Sequence, residues 1–254
     1  MDDPSGQGRR NRVLAGLPDQ AYRECMQALE PVELRQRQVL FEQNQPITHV
    51  YFPLNSVASL LTIMQDGSAV ECATVGNEGV VGLPVFLGAH SLPMRAFAQV
   101  PGRALRMDAA VFRQLLARED GPLQTVLHRY TQTIFSQLAQ NVACNRLHAI
   151  EQRCARWVLM TADRVDGPQF PMTQQFLAQM LGVRRASVSE VASRLADASC
   201  IRYSRGAVTV LDRDGLEQLS CECYRAIRSV LERMLGDPEQ VTQSAAGGAV
   251  PDPR

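Results

Sequence analysis

Residues 173–198 read TQQFLAQMLGVRRASVSEVASRLADA, and this run decides how the chain is organised. Phe176, Leu177, Met180 and Leu181 recur with the 3.6-residue period of an amphipathic helix. Gly182 follows, where a helix end needs a residue that accepts positive φ. A second periodic run starts near Arg184 and would bury Val188, Val191, Ala192 and Leu195, leaving Arg185, Ser187, Ser189, Glu190 and Arg194 on the other face. Two short helices about a tight turn make a helix-turn-helix, whose second helix presents its N-terminal residues to base edges in the major groove. Paired amphipathic helices also occur in domains that bind no nucleic acid, so the flanking sequence has to decide.

Downstream, residues 201–204 (IRYS) and 208–211 (VTVL) alternate like two short strands, with Arg205-Gly206 as the turn between them. A hairpin directly after the second helix makes the motif a winged helix-turn-helix. From 173 to 211 five arginines stand against Glu190 and Asp197, a net charge of +3. That is the sign needed to neutralise phosphates, which supply most non-specific DNA affinity. The candidate DNA contacts are Thr173, Arg184, Arg185, Ser187, Ser189, Glu190, Arg194 and Arg205.

Upstream the chain changes character. Runs at 39–42, 49–52, 57–64, 69–75, 96–100 and 104–107 look like short strands, separated by turn signals such as Asn44-Gln45-Pro46, Asp66-Gly67 and Pro101-Gly102. Many short strands with regular turns predict a sandwich, jelly roll or barrel. Before them, 14–29 reads as one or two short helices, with Tyr22, Met26 and Leu29 on one face. After them, Asp108 caps a helix, and Gly121-Pro122 opens a long one. Along that helix Leu123, Leu127, Tyr130 and Ile134 are spaced 4, 3, 4, the seam of a two-stranded coiled coil. Packing of the same residues on the chain's own barrel is the competing explanation. A further helix spans 147–165, and a final one runs from Asp212 or Asp214 to Leu235.

These readings predict an α+β chain: an N-terminal double-stranded β-helix (jelly roll), a long dimerisation helix and a C-terminal winged helix-turn-helix. The boundaries are a disordered leader at 1–12, a sensor domain at 13–120, the dimerisation helix at 121–146, the DNA-binding domain at 147–235 and a disordered tail at 236–254. With 254 residues, 45% apolar and 20% charged, the composition is that of an ordinary globular protein. No run approaches the ~20 apolar residues of a membrane span, and the polar N-terminus lacks a signal-peptide core. Seven cysteines, an odd number at irregular spacing, suit the cytoplasm better than a disulfide framework. All 26 basic residues are arginine, which excludes lysine chemistry such as a Schiff base or a P-loop.

The order of parts resembles the Crp/Fnr family of bacterial transcription regulators. The resemblance runs from about Leu14 to Leu235 and rests on VLFEQNQPITHVYFPLNSVASLLTIMQDGSAVECATVGNEGVVG and, more specifically, on MTQQFLAQMLGVRRASVSEVASRLADASCIRYSRGAVTV. It implies a cyclic-nucleotide-binding-like jelly roll, a homodimer, binding to double-stranded promoter DNA, and RNA polymerase as a candidate partner. It also implies that Arg185 falls on an arginine used on guanine, Ser187 on a phosphate contact, and Ser189 and Glu190 on base-facing positions. Glu190 either accepts from a cytosine amino group or pairs with Arg194 four residues on.

The family's nucleotide contacts carry over poorly. Gly82 is followed by Leu83, which cannot accept a ribose hydrogen bond, Glu78 lies four residues before Gly82 and out of register, and Arg95 is followed by Ala96 rather than a hydroxyl residue. Glu78, Gly82 and Arg95 are what remains of an effector site, and cyclic nucleotide is not the expected effector. The iron–sulfur members cluster cysteines near the N-terminus, whereas Cys25, Cys72, Cys144, Cys154, Cys200, Cys221 and Cys223 are scattered. Cys221 and Cys223 fall on a predicted helix, where residues two apart diverge, and His49, His90, His128 and His148 form no recognisable haem-ligand set. No metal or other cofactor is expected. An enzyme of cupin type would need a close histidine pair, and there is no G-x-S-x-G, Walker A or G-x-G-x-x-G.

Overall fold

The computed structural model describes residues 6–117 and 121–236. Two short helices, α1 (Arg12–Ala15) and α2 (Asp19–Gln27), lead into the strands β1 (Glu30–Leu34), β2 (Val39–Phe41), β3 (His49–Pro53), β4 (Val57–Ile63), β5 (Ala69–Val75), β6 (Arg95–Val100) and β7 (Gly102–Asp108). These form two antiparallel sheets, β1-β7-β3 and β2-β6-β4-β5, with one apolar core between them. Asp66-Gly67 turns β4 into β5 as expected, with Gly67 at φ 81°. The strand β1 had no sequence signal: EPVEL buries little beyond Leu34 and sits at a sheet edge.

The leader differs from expectation over residues 6–12. Gln7–Arg10 form a 3₁₀ turn, and Asn11 is fully buried. Its Oδ1 caps α1, and its Nδ2 donates to the carbonyls of Pro53 (3.0 Å) and Gly79 (2.8 Å), which ties the leader to the barrel. The expected disorder at 1–5 and 237–254 falls outside the described residues.

Helix α3 (Leu83–Phe86) interrupts the barrel between β5 and β6. Asp108 caps α4 (Ala109–Leu116) by accepting from the backbone of Ala110 and Val111. Pro122 then opens α5 (Pro122–Leu147), the long helix. Leu123, Leu127, Tyr130 and Ile134 are buried in the chain's own core with the barrel, which corrects their assignment to a dimer seam. The fit is tight: a Cβ at Gly79 would lie 2.1 Å from the Tyr130 hydroxyl. Along its middle α5 leaves Phe135 and Val142 outside, 72% and 73% exposed, with Leu138 half-buried between them, and Leu147 is exposed at its end.

Beyond α5 lie α6 (Ile150–Ala162), β8 (Gln169–Pro171), α7 (Gln174–Leu181), α8 (Arg185–Asp197), β9 (Ile201–Ser204), β10 (Ala207–Val210), α9 (Arg213–Leu219) and α10 (Cys223–Leu235). The expected single final helix is therefore two, broken at 220–222, and Cys221 lies in the break rather than on a helix.

The outer face of the four-stranded sheet is not left to water. Alternation along β6 turns Ala96 and Ala98 inward and Phe97 outward, where it meets Phe176 of α7 edge to face at 5.9 Å. Val57, Leu61 and Val100 join the same second core with Trp157 of α6. At the other end of this contact Arg164, just past α6, forms a buried bidentate ion pair with Glu78 of the barrel (2.8 and 2.9 Å).

Candidate nucleic-acid interface

Thr173 starts the helix pair: its Oγ1 accepts from the Phe176 amide at 3.1 Å and caps α7. Gly182 ends α7 at φ 63°, ψ 39°, and the chain re-enters helix with Arg184 at the N-cap of α8. Val188, Val191, Ala192 and Leu195 are buried as their periodicity predicts. Helix α7 is the inner one, packed toward β5, while α8 presents Arg185, Ala186, Glu190, Ser193 and Arg194 to solvent. Ser193 was missed by sequence reasoning, although it stands four residues beyond Ser189 and eight beyond Arg185 on the same face.

The wing is a three-stranded sheet, order β8-β10-β9. Residues 205 and 206 form its tip with φ of 50° and 76°, the double positive turn that matches strand twist in a two-residue hairpin. Arginine bears that strain at an exposed position. Strand β8 has no strand signal of its own in the sequence; its pairing with β10 is a tertiary event.

Two candidate contacts are committed within the protein. The Ser189 hydroxyl donates to Gln174 Oε1 at 2.6 Å and ties α8 to α7. Arg194 Nε lies 2.9 Å from Glu151 Oε2 on α6, so the expected pairing partner of Glu190 is engaged elsewhere. Glu190 is left exposed at the middle of the outer face of α8. Arg184, Arg185 and Arg205 are exposed, and Ser187 is half-buried.

Residues 31–119 match the model of the cyclic nucleotide-binding domain, and residues 152–219 match the model of the Crp-like helix-turn-helix domain. FixK2 from Bradyrhizobium japonicum is similar in structure, with a TM-score of 0.64 at 16% identity over 76% of this chain and 98% of that one. A putative transcriptional regulator of the Crp/Fnr family from Eubacterium rectale has a TM-score of 0.61 at 14% identity, covering 80% and 94%. The c-di-GMP responsive global regulator CLP from Xanthomonas campestris has a TM-score of 0.59 at 13% identity, covering 76% and 99%. No curated protein matches the chain in sequence.

The chain belongs to the Crp/Fnr family of transcription regulators. It is a regulator with a DNA-binding helix-turn-helix, and not an enzyme. Among the described residues no helix is long and apolar enough to cross a membrane.

In this Crp/Fnr chain the three effector candidates do not converge. Glu78 is held by Arg164: burial would raise its pKa, but the guanidinium outweighs burial and holds it low. Gly82 sits at φ 101° at the start of α3, where a Cβ would lie 2.9 Å from Val50. Arg95 pairs with Glu42 on the surface at 2.7 Å. Phe86 of α3 instead packs against His128 of α5, ring centroids 4.9 Å apart.

One titratable group couples barrel to output domain. Trp157 Nε1 of α6 donates to Glu71 Oε1 of β5 at 2.8 Å. Ser59 Oγ lies 2.6 Å from Glu71 Oε2 and is also hydrogen-bonded to Gln99 Oε1. Ser59 has one hydroxyl proton for these two acceptors. Burial pushes the Glu71 carboxyl up to about 7, against the opposing pull of the Ser59 and Trp157 hydrogen bonds and of Arg156. The folded state therefore holds a proton that the unfolded chain releases at ordinary glutamate pH. Its contribution to stability is full below that range and is lost as pH rises through about 7. Glu71→Gln should flatten this dependence: urea unfolding at about pH 5 and pH 8 should show a smaller stability loss than wild type across that interval. An unchanged pH slope would mean that Glu71 titrates normally.

Proposed function

We propose that this regulator binds a two-fold DNA site as a homodimer in the cytoplasm, reading each half-site with α8 and gripping the flanking backbone with the wing. The observation that carries the reading is the solvent-facing stripe of α8, set beside a hairpin whose tip is Arg205, within a segment of net charge +3. Arg185 is the base reader, bidentate to a guanine, and Glu190 reads a cytosine amino group, because Arg194 is drawn away to Glu151. Arg184, Thr173, Ser187 and Arg205 serve the phosphates, while Ser189 and Arg194 position α8. Half-sites one helical turn apart, ~34 Å, suit such a dimer, and RNA polymerase is the partner through which occupancy becomes transcription.

The second protomer packs along Phe135, Leu138 and Val142 in this reading, which is supported by their 3, 4 spacing on an exposed face of α5. The barrel is the sensing part, and its signal passes through Glu71–Trp157 and Glu78–Arg164 rather than through cyclic-nucleotide contacts. Arg185→Ala should cost about 1–3 kcal/mol on the specific site and little on random DNA, measured by binding titration at one salt concentration. Equal losses on both would remove Arg185 as a base reader.

A further inference from the structure

Four side chains distant in sequence meet where α5 ends and α10 begins. They are Cys144 in the last turns of α5, His148 immediately after it, and Cys221 and Cys223 at the break before α10. Their ligand atoms all lie within 4.8 Å of one another. Cys144 Sγ is 3.5 Å from Cys221 Sγ, and Cys223 Sγ is 3.4 Å from His148 Nδ1. Cys144 and Cys223 are fully buried and Cys221 nearly so. We propose that these residues form a tetrahedral Cys₃His site for one divalent metal ion of the zinc class.

The spacing favours a single ion. Metal–sulfur bonds of ~2.3 Å and metal–nitrogen bonds of ~2.0–2.1 Å, directed at the corners of a tetrahedron, set neighbouring ligand atoms roughly 3.5–3.8 Å apart. An iron–sulfur cluster places its own iron and sulfide atoms between its thiolates and needs a wider ring.

The surroundings favour it independently. His148 turns Nδ1 toward the sulfurs, while its Nε2 lies 3.1 Å from Glu222 Oε1. A proton on Nε2, held by that carboxylate, leaves the Nδ1 lone pair free to ligate, the outer-shell arrangement common to metal-bound histidine. Gln140 Nε2 donates to Cys223 Sγ at 3.0 Å. Nearby, the buried Arg153 donates to the Leu181 carbonyl, and among the described residues its Nε has no hydrogen-bond partner and its guanidinium no carboxylate. Cys144 and Cys221 are close enough to act on its charge. Three thiolates around a dipositive ion carry a net charge of −1, which answers a buried cation that thiols would leave uncompensated.

Loading moves no electrons. One dipositive ion enters, three metal–sulfur bonds and one metal–nitrogen bond form, and the thiol protons, up to three, pass to the buffer. The closed site would staple α10 to the end of α5 at His148, the joint from which α6 and the helix-turn-helix depart.

The test is titration of reduced, metal-free, full-length protein with Co²⁺. One equivalent per chain should bind, with the visible absorption of a tetrahedral thiolate complex and with proton release, and Zn²⁺ should displace it and bleach the spectrum. Cys144→Ser and Cys223→Ser should abolish the spectrum, and Glu222→Gln should weaken binding about 10–100-fold, whereas Cys72→Ser, outside the cluster, should change neither. Folded wild-type protein that gives no such spectrum would overturn the proposal, as would a full spectrum in Cys144→Ser. A Cys144–Cys221 disulfide whose reduction fails to restore Co²⁺ binding would overturn it too.

Discussion

Arg164→Met should destabilise the folded chain by about 3–5 kcal/mol, the largest effect expected of any single substitution in the interface between the two cores. Arg164 and Glu78 are 6% and 4% exposed and share two hydrogen bonds of 2.8 and 2.9 Å. The remaining amine, Nη1, donates to the Met160 carbonyl at 2.7 Å. Removing the guanidinium leaves a buried carboxylate held by backbone amides, that of Gly76 at 3.1 Å and its own, with no countercharge. Adding Glu78→Gln to Arg164→Met should recover much of the loss, because the stranded charge is then gone. The sign with pH follows from the same pair. Glu78 is held below the ordinary carboxylate range, so its stabilisation is present above that range and fades as pH falls through the lowered value. Chemical denaturation of both variants at neutral pH checks the prediction. A single-variant loss under about 1 kcal/mol would mean that water reaches the site and the two domains part readily.

Phe135→Asp together with Val142→Asp should leave a folded monomer and lower affinity for a two-fold site by about 10²–10⁴, the factor a second linked half-site contributes. Both side chains point to solvent in the single chain, so charges there cost the protomer little. Sedimentation and near-ultraviolet circular dichroism on the same sample separate assembly from folding. Leu127→Asp with Ile134→Asp is the contrasting pair: those residues fill the core beneath the barrel, and charges there should unfold it. A double variant at 135 and 142 that still sediments as a dimer would move the interface off α5.

The two pairs lie on one helix, and their difference shows where sequence reading stops. Helical spacing reveals that α5 carries apolar stripes. It does not reveal which stripe meets the barrel of the same chain, because that depends on contacts with residues such as Gly79, far away in sequence. The seam assigned to Leu123, Leu127, Tyr130 and Ile134 had the right period and the wrong neighbour.

Local chemistry was sufficient for the elements. The period of Phe176, Leu177, Met180 and Leu181, positive φ at Gly182, the cap at Asp108 and the turns at Asp66-Gly67 and Arg205-Gly206 are each set within a few residues, and all stand in the structure. The helix-turn-helix, its wing and most of the barrel strands were therefore determined by sequence alone, and with them the family. Tertiary structure decided what lies between elements: the outward Phe97 capped by Phe176, Glu71 under Trp157, and Arg164 on Glu78. It also decided the meeting of Cys144 and His148 with Cys221 and Cys223. Cys221 and Cys223 diverge on a continuous helix and converge only because the chain breaks between α9 and α10. Periodicity records which side of an element is apolar or polar; which distant groups share a place is set by packing, which no local pattern encodes.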